Sequence, residues 1–347
     1  MSYKYLGNNQ YEVTLVLYQD CEHGAPMAIS EDNPALLRIF KGDGSIYASD
    51  SIYSSSAAEV PLVVTGCSNP LSNCIRQAIF IKTFHLPPSN EGYHVVYQRC
   101  CRSFDITNIN EPGTVGNTFY CTIPPSSLGI NSSAVFNYSA PQVVCIKNQY
   151  FIDNSATDAD GDSLSYEFCD TYQGGGPDNA KPLASPPPFA SLSYNAQFSY
   201  SSPMGDLSYM DIDPKTGIVS GTAMISGVFL VGVACHEWRG GIKINTVRKE
   251  FELVVDGPKE KVAVPTAFTP NGDGLNDILR PIAAGGAQIL AFRVYNRNGK
   301  LVCDDVNGWD GVYMKMKMDT GEYRWQTDYL TLAGKHESIR GITLLIR

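Results

Sequence analysis

The stretch from residue 322 to 329, Glu-Tyr-Arg-Trp-Gln-Thr-Asp-Tyr, alternates between polar side chains and aromatic or β-branched ones. Successive side chains of a strand point to opposite faces, so this alternation is typical of a strand with one buried face. The same period of two recurs in 11–18 and 250–256. Between such segments lie clusters of Gly, Pro, Asn and Ser, and no segment sustains a helical stripe for three turns. The sequence therefore predicts an all-β fold, most simply a series of β-sandwiches.

The size and charge of the chain narrow the classes of function. A length of 347 residues suggests two or three domains. The net charge of -9 argues against a nucleic-acid partner, because tracking phosphates requires an excess of cations. The longest apolar stretch, 227–235, is too short for the ~20 residues that cross a bilayer as a helix, so we predict no membrane span.

Two changes of composition divide the chain. Around 124–138 the sequence becomes rich in Ser, Pro and Asn after a block that holds six of the cysteines. A short charged linker follows the alternating segment 250–256. We therefore predict a cysteine-rich β-sandwich at 1–138, a second sandwich at 139–257, a linker at 258–263 and a small C-terminal sandwich at 264–347.

Ten cysteines occur without the C-x-x-C spacing of zinc or redox sites. In a chain rich in Tyr, Gly and Pro, this usage favours disulfides in an exported protein, although the N-terminus lacks a secretory apolar region, and we interpret Met1 as a trimmed or engineered start. The alternative is buried free thiols in a cytosolic protein. We expect Cys67 to pair with Cys74, and Cys100 and Cys101 to pair with different partners because a vicinal bridge is strained. The disulfide candidates are Cys21, Cys67, Cys74, Cys100, Cys101, Cys121, Cys145, Cys169 and Cys235.

Alternating aspartates suggest a metal site. Asp158, Asp160 and Asp162 place several carboxylates along an extended loop, with Gly161 permitting the turn, and such hard oxygen ligands suit Ca²⁺. A second and weaker candidate for Ca²⁺ is formed by Asn271, Asp273 and Asp277. The alternative is an acidic turn whose aspartates bond to their own backbone.

Enzyme signatures are absent. The sequence contains no G-x-S-x-G, H-E-x-x-H or G-x-x-x-x-G-K motif. A nucleophilic cysteine at 100–101 would need His85, His94 or His236 as a base, and no spacing links any of them to it. We therefore predict a protein that is not an enzyme, with a secreted hydrolase or carbohydrate-binding accessory as the alternative.

The middle block resembles a known domain type. The segments 156–166 (ATDADGDSLSY) and 212–222 (IDPKTGIVSGT) are similar to the cadherin-like and Ig-like domains of bacterial surface proteins. In those domains Asp-x-x-Thr-Gly makes a tight turn before a strand. The resemblance implies an Ig-like or cadherin-like sandwich for 139–257.

The C-terminal block carries a more specific resemblance. Its motifs occur in order at 264–277 (VPTAFTPNGDGLND), 292–302 (FRVYNRNGKLV), 308–311 (GWDG), 321–323 (GEY) and 341–347 (GITLLIR). They resemble the gliding-motility-associated C-terminal domain of Bacteroidota, the type B sorting signal of the type IX secretion system. Met314–Met318 (MKMKM) departs from the short Gly-containing turn that the family often has. The positions matching the family's motif are Phe268, Thr269, Pro270, Asn271, Gly272, Asp273, Gly274, Asn276, Asp277, Tyr295, Asn296, Arg297, Gly299, Trp309, Asp310, Gly311 and Arg347.

This resemblance implies passage through the periplasm and recognition by the outer-membrane machinery of type IX secretion. The protein would end on the cell surface or in the medium, as an adhesin or gliding-motility-associated module. Its ligand would be a surface polysaccharide or another cell-surface molecule. We also expect the apolar segment 339–347 to form a terminal strand inserted in the sandwich, with Arg347 at the rim.

Overall fold

A computed structural model describes residues 1–20, 32–61, 63–65, 75–137, 142–256, 261–284, 287–331 and 335–347. The chain forms two compact units, Met1–Asp256 (unit 1) and Gly257–Arg347 (unit 2). Within the described ranges, helix is limited to two short 3-10 turns, Pro112–Thr114 and Ser126–Leu128. The prediction of an all-β fold is confirmed. A search of the described residues found no helix with the length and apolarity needed to cross a membrane.

Strands occupy most of unit 1. They are β1 (Ser2–Gly7), β2 (Gln10–Asp20), β3 (Ala35–Lys41), β4 (Ile46–Ile52), β5 (Ser54–Val60), β6 (Val63–Thr65), β7 (Ile75–His85), β8 (Tyr93–Arg99), β9 (Asn117–Ile123), β10 (Val135–Phe136), β11 (Gln142–Cys145), β12 (Gln149–Asp153), β13 (Ala156–Thr157), β14 (Ser163–Phe168), β15 (Tyr209–Ile212), β16 (Ile218–Thr222), β17 (Gly227–Arg239) and β18 (Ile242–Asp256).

The first sandwich packs the sheet β1-β2-β7-β5 against the sheet β4-β3-β8-β9. The predicted alternation in β2 is confirmed, because Val13, Leu15 and Leu17 are at most 1% exposed. They meet Leu37 of β3 and Val95 of β8 in one apolar cluster. Burial of each such side chain stabilises the fold by about 1.5–3 kcal/mol.

The second sandwich joins the five-stranded sheet β14-β17-β18-β11-β6 and the three-stranded sheet β12-β16-β15. The smaller sheet buries alternate residues, among them Ile152 and Val219, and β18 of the larger sheet does so at Leu253 and its neighbours. Strand β17 is instead buried at every position from 229 to 235. The tight turn expected before β16 is present: Asp213 Oδ1 accepts hydrogen bonds from the backbone N–H groups of Lys215 and Thr216, both at 2.8 Å.

The two sandwiches of unit 1 share structure across the expected boundary at residue 138. Strand β6 lies in the sheet of the second sandwich, parallel to β11. Arg102 donates a hydrogen bond to Glu250 at 2.6 Å, and Ile106 bridges to Val228. These pairings explain why residues 1–256 form one compact unit, while the three-domain division stays a prediction.

The cysteines differ from the expected framework. Cys100 and Cys101 form a disulfide with each other, so the prediction of separate partners is wrong. Strand β8 ends at Arg99, and the alternation that would separate the two side chains therefore does not apply to them. Cys145 is disulfide-bonded. Cys21, Cys67 and Cys74, with the predicted 67–74 bridge, lie outside the described residues.

Three further disulfide candidates are free thiols. Cys121, Cys169 and Cys235 are buried and unbridged, so the prediction is wrong for them. Cys121 belongs to the apolar core of the first sandwich, where a free cysteine packs as a small hydrophobic side chain. Burial raises the pKa of each of these thiols to about 12, so they stay protonated and unreactive.

Unit 2 contains one five-stranded sheet, β20-β27-β26-β22-β23, and two two-stranded sheets, β19-β21 and β24-β25. Its core contains Phe268, Phe292, Val294, Trp309 and Trp325. Its strands are β19 (Lys261–Ala263), β20 (Ala267–Phe268), β21 (Ile282–Ala284), β22 (Gln288–Tyr295), β23 (Leu301–Asp304), β24 (Val312–Tyr313), β25 (Met316–Lys317), β26 (Gly321–Leu330) and β27 (His336–Leu345).

The MKMKM segment forms the tight β24–β25 hairpin. Tyr313 pairs with Met316, which leaves Met314 and Lys315 as the two turn residues. Both have positive φ, 50° and 64°, the conformation of a type I′ turn. Asn-Gly is preferred at these positions, because bulky side chains there are strained. The backbone of this hairpin therefore departs from what its sequence favours.

Candidate functional site

The predicted acidic loop lies beside the junction of the two sandwiches of unit 1. One carboxylate oxygen from each of Asp158, Asp160 and Asp162 lies within 4.8 Å of the others. Asp158 Oδ1 accepts hydrogen bonds from the backbone N–H groups of Asp160 at 3.0 Å and Asp162 at 2.8 Å. Its Oδ2 is buried without a hydrogen-bond partner. The loop is thus an acidic turn that still holds one unsatisfied oxygen.

Arg239, at the end of β17, occupies one side of this loop. Its Nε and Nη2 donate to both oxygens of Asp162 at 2.7 and 2.6 Å, a bidentate ion pair. Its Nη1 also donates to the carbonyl of Ile130 at 2.9 Å, and its Nη2 to Asn131 Oδ1 at 3.0 Å. The hydrogen bond to Asp162 raises the pKa of Arg239. Asp162 is thereby neutralised. Asp160 Oδ2 accepts a hydrogen bond from the backbone N–H of Ser132 at 2.5 Å and lies 3.8 Å from Arg239 Nη2, so the buried Oδ2 of Asp158 is the oxygen available to a cation.

Behind Arg239 lies a buried carboxylate, Glu237, which is 0% exposed. Its Oε1 accepts hydrogen bonds from the backbone N–H of Ala134 at 2.7 Å and from Asn245 Nδ2 at 3.1 Å. Its Oε2 accepts one from Asn131 Nδ2 at 2.7 Å, and the same amide nitrogen lies 2.9 Å from the hydroxyl of Tyr3. Burial raises the pKa of Glu237, because the surrounding protein solvates the charged form less well than water does.

Two of the three histidines considered as catalytic bases form hydrogen bonds with other side chains. His236 Nδ1 lies 2.8 Å from the hydroxyl of Thr246, and its Nε2 lies 3.0 Å from Glu167 Oε1. His94 Nδ1 lies 3.2 Å from the hydroxyl of Thr122. With Cys100 and Cys101 joined in a disulfide, these contacts do not assemble a thiol–imidazole pair.

The second acidic loop, 271–277 in unit 2, closes on itself. Asp277 accepts hydrogen bonds from the backbone N–H groups of Gly272 at 2.7 Å and Gly274 at 2.8 Å, and these bonds lower its pKa. Asn271 and Asp273 each accept a backbone or side-chain hydrogen bond from the other. Both glycines have positive φ, near 85°, which other residues rarely adopt. The loop is a self-bonded turn, and Ca²⁺ binding there stays a prediction.

Several motif positions of unit 2 converge on its aromatic core. The rings of Phe268 and Trp309 lie 5.4 Å apart, and those of Trp309 and Tyr323 lie 4.7 Å apart. The Trp309 indole N–H donates to the carbonyl of Val312 at 2.9 Å. The guanidinium of Arg347 donates to the carbonyl of Gly311 at 3.0 Å. The turn positions Asn296, Arg297 and Gly299 lie instead in the β22–β23 loop, where Asn296 Oδ1 accepts backbone hydrogen bonds from Asn298 and Lys300.

The C-terminal strand is inserted between two others, as expected. β27 pairs antiparallel with β26 and parallel with β20. Leu345 is fully buried, whereas Ile342, Leu344 and Ile346 are 55%, 39% and 39% exposed. The apolar run therefore faces the core on one side only.

Comparison with known protein families identifies the type of domain that unit 2 forms. Residues 262–344 match the family described as the CHU_C type IX secretion signal domain. They form a type IX secretion signal domain. The resemblance found in the sequence is thereby confirmed, and this domain implies export to the cell surface or extracellular space through the type IX machinery.

Comparison with curated proteins found no match. Similar solved structures include the N-terminal four Ig domains of a Dscam1 isoform, at 12% identity, with 96% of this chain and 71% of that chain covered and a TM-score of 0.22. A titin Ig tandem has 10% identity, 61% and 95% coverage and a TM-score of 0.20. Latent PorU from Porphyromonas gingivalis has 10% identity, 98% and 32% coverage and a TM-score of 0.18. With TM-scores this low, the assignment of tandem β-sandwiches rests on the paired sheets described above.

Sequence reasoning missed the Glu237–Asn131–Arg239 cluster. Arg239 stands in the Trp-Arg-Gly-Gly segment at 238–241, yet its partners lie about 80 and 110 positions away in the sequence. The local signal was the polar segment His-Glu-Trp-Arg at 236–239, which follows directly on the apolar run of β17. A single charge in a buried strand points to a polar cluster without naming its members.

The buried carboxylate generates a testable pH dependence. The pKa of Glu237 is raised in the folded state, so its contribution to stability is complete below the unfolded value of ~4.3 and is lost as the pH rises through the folded value. Each pH unit in that window removes about 1.4 kcal/mol. Glu237→Gln should abolish this slope in calorimetric unfolding of unit 1, whereas the exposed control Glu59→Gln should retain it. Equal pH profiles for wild type and Glu237→Gln would contradict the assignment.

Proposed function

We propose that this exported chain is a non-catalytic adhesin or gliding-associated module, in which unit 1 binds a surface polysaccharide and unit 2 directs export. The outward face of the sheet β12-β16-β15 supports the binding role. Phe151 and Tyr209 stand on this face, 60% and 61% exposed. Large exposed apolar side chains on one face are typical of interaction sites.

Polar groups surround both rings. The strand register pairs Phe151 with Ser220, which pairs on its other side with Asp211, and it pairs Tyr209 with Thr222. Flat rings with hydroxyl and carboxylate neighbours suit a sugar, because the apolar face of a pyranose stacks on an aromatic ring while its hydroxyls form hydrogen bonds. This arrangement lies on an open sheet rather than in a deep cleft, which favours binding over hydrolysis.

Removal of the two rings tests the binding role. Phe151→Ala with Tyr209→Ala should weaken retention of the full chain in gels that contain soluble cell-surface polysaccharides by roughly tenfold or more, equivalent to about 1.4 kcal/mol. The matched control is Phe104→Ala, which removes an aromatic residue that is 72% exposed elsewhere in unit 1. Retention unchanged by the double substitution would refute this face as the site, and release of new reducing ends would favour a hydrolase.

The export role depends on the terminal strand of unit 2. Deleting residues 336–347 removes β27 from between β20 and β26, leaving unpaired backbone groups and an uncovered core. Behind an inner-membrane export signal, the tagged full chain should reach the surface only in cells with a working type IX system. The truncated chain should remain in the periplasm, whereas Ile282→Ser, an exposed change in β21, should be exported normally. Surface protease accessibility measures both, and equal export of the truncated chain would contradict the proposal.

Calcium at the loop 158–162 is a further part of the proposal. The unpartnered buried Oδ2 of Asp158 is a suitable oxygen donor, and the nearby carboxylate of Asp160 is a second one. Arg239 already holds Asp162, and the backbone N–H of Ser132 already bonds to one oxygen of Asp160. At a hundredfold excess over its dissociation constant, Ca²⁺ would stabilise unit 1 by ~2.7 kcal/mol, or roughly 5–10 °C in melting temperature.

Calorimetry with Ca²⁺ and with a chelator tests this effect. The rise in melting temperature should disappear in Asp158→Asn but persist in Asp213→Asn, which alters another aspartate turn outside the cluster. If the melting curves of the wild type with Ca²⁺ and with chelator superimpose, the loop is an acidic turn that does not bind Ca²⁺.

A further inference from the structure

The tip of the β24–β25 hairpin in unit 2 combines exposed apolar and basic side chains. Met314 and Met316 are 73% and 66% exposed. They alternate with Lys315 and Lys317, which are also exposed. Two large thioether side chains in water, each next to an ammonium group, form a small patch that is both apolar and cationic.

The backbone shows that this composition is costly. Met314 and Lys315 both occupy the left-handed region, where Asn and Gly are favoured. Strain of this kind persists at sites where particular side chains are needed, and an observed outlier is a reason to look for a function. The strain here places two methionines and two lysines at the most exposed point of the hairpin.

Further cations lie next to the hairpin. The ammonium of Lys300 sits 4.9 Å from the ring centroid of Tyr313, on the face that Met316 shares. The guanidinium of Arg347 donates to the carbonyl of Gly311, the residue before β24, at 3.0 Å. Two acidic residues flank the hairpin: Asp310, whose Oδ1 accepts a hydrogen bond from the backbone N–H of Val312 at 2.9 Å, and the exposed Asp319.

The charge of unit 2 differs from that of the rest of the chain. Residues 257–347 contain 12 Lys and Arg against 10 Asp and Glu, whereas residues 1–256 contain 14 against 25. An anionic surface would therefore repel unit 1 and attract the hairpin end of unit 2. This asymmetry favours an oriented contact through unit 2.

We propose that the β24–β25 hairpin, with Lys300, is a membrane-contact site for a bilayer surface rich in anionic phospholipid headgroups. Met314 and Met316 enter the interface between headgroups and acyl chains, and the lysines lie against the phosphates. Near such a surface each lysine strengthens binding roughly fivefold. A stable protein interface involves roughly 20–30 residues on each side, far more than the four exposed side chains of this hairpin. A few apolar side chains with flanking cations suffice for a reversible membrane contact. This site is additional to the export role proposed above.

Vesicle flotation of the full chain tests the proposal. The protein should float with vesicles of phosphatidylcholine mixed with phosphatidylglycerol, should not float with phosphatidylcholine alone, and should detach as salt screens the charges. Absence of flotation with the anionic vesicles, or equal flotation with both types, would overturn the proposal, and the first outcome would direct the search to a protein partner.

Two sets of variants separate the apolar contribution to vesicle binding from the electrostatic one. Met314→Ser with Met316→Ser, and Lys315→Glu with Lys317→Glu, should each reduce vesicle binding at least tenfold. Arg280→Glu with Ile282→Ser makes the same kinds of change at exposed positions outside the hairpin and should leave binding unchanged. If the methionine substitutions leave vesicle binding unchanged, Met314 and Met316 do not enter the bilayer interface, and the proposal is wrong.

A turn replacement excludes unfolding as the cause. Met314→Asn with Lys315→Gly installs the preferred turn residues, so it should raise the melting temperature of unit 2 while reducing vesicle binding. A variant that is more stable and binds less well can be explained only by loss of the side chains. Unchanged vesicle binding in this variant would contradict the proposal.

Discussion

The architecture of unit 1 depends on keeping the buried carboxylate of Glu237 satisfied. An ionisable group at 0% exposure costs several kcal/mol unless hydrogen bonds replace the water that it loses. Three donors do so, from Ala134, Asn131 and Asn245. These donors come from the segment before β10 and from β18, so satisfying one side chain of β17 fixes the positions of both.

The same constraint extends outward to the acidic loop. Asn131 donates a hydrogen bond to Glu237 and accepts one from Arg239 through its side-chain oxygen. Arg239 in turn donates to both carboxylate oxygens of Asp162. The loop is therefore attached to the junction of the two sandwiches rather than standing free in solvent. A cation at Asp158 and Asp160 would bind to a loop that is hydrogen-bonded to the junction, so its effect would extend to the stability of the whole unit.

Unit 2 solves a different problem, because fewer than 100 residues must build a core of their own. It does so with large aromatic side chains, Phe268, Trp309 and Tyr323, that bury much apolar area per residue. The terminal strand closes this core between β20 and β26, and Arg347 ties the chain end to Gly311. Motif positions that are spread over some 80 residues thus form one core and fix the last residue of the chain. The strained β24–β25 hairpin lies at the surface, and its side chains are exposed to solvent.

The sequence by itself determined the strands and the sorting domain, because both depend on local order: alternation fixes which face of β2, β18 and β26 is buried, and the glycines and asparagines of 271–277 and 296–299 fix turns. The tertiary structure decided everything that joins distant positions. Glu237 and Asn131 are 106 residues apart, and Arg239 and Asp162 are 77 apart, so no spacing in the sequence could pair them. The cysteines show the same limit of prediction from sequence. Cys121, Cys169 and Cys235 carry no local mark that distinguishes a core side chain from half of a disulfide, since only the three-dimensional path of the chain sets which sulfurs meet.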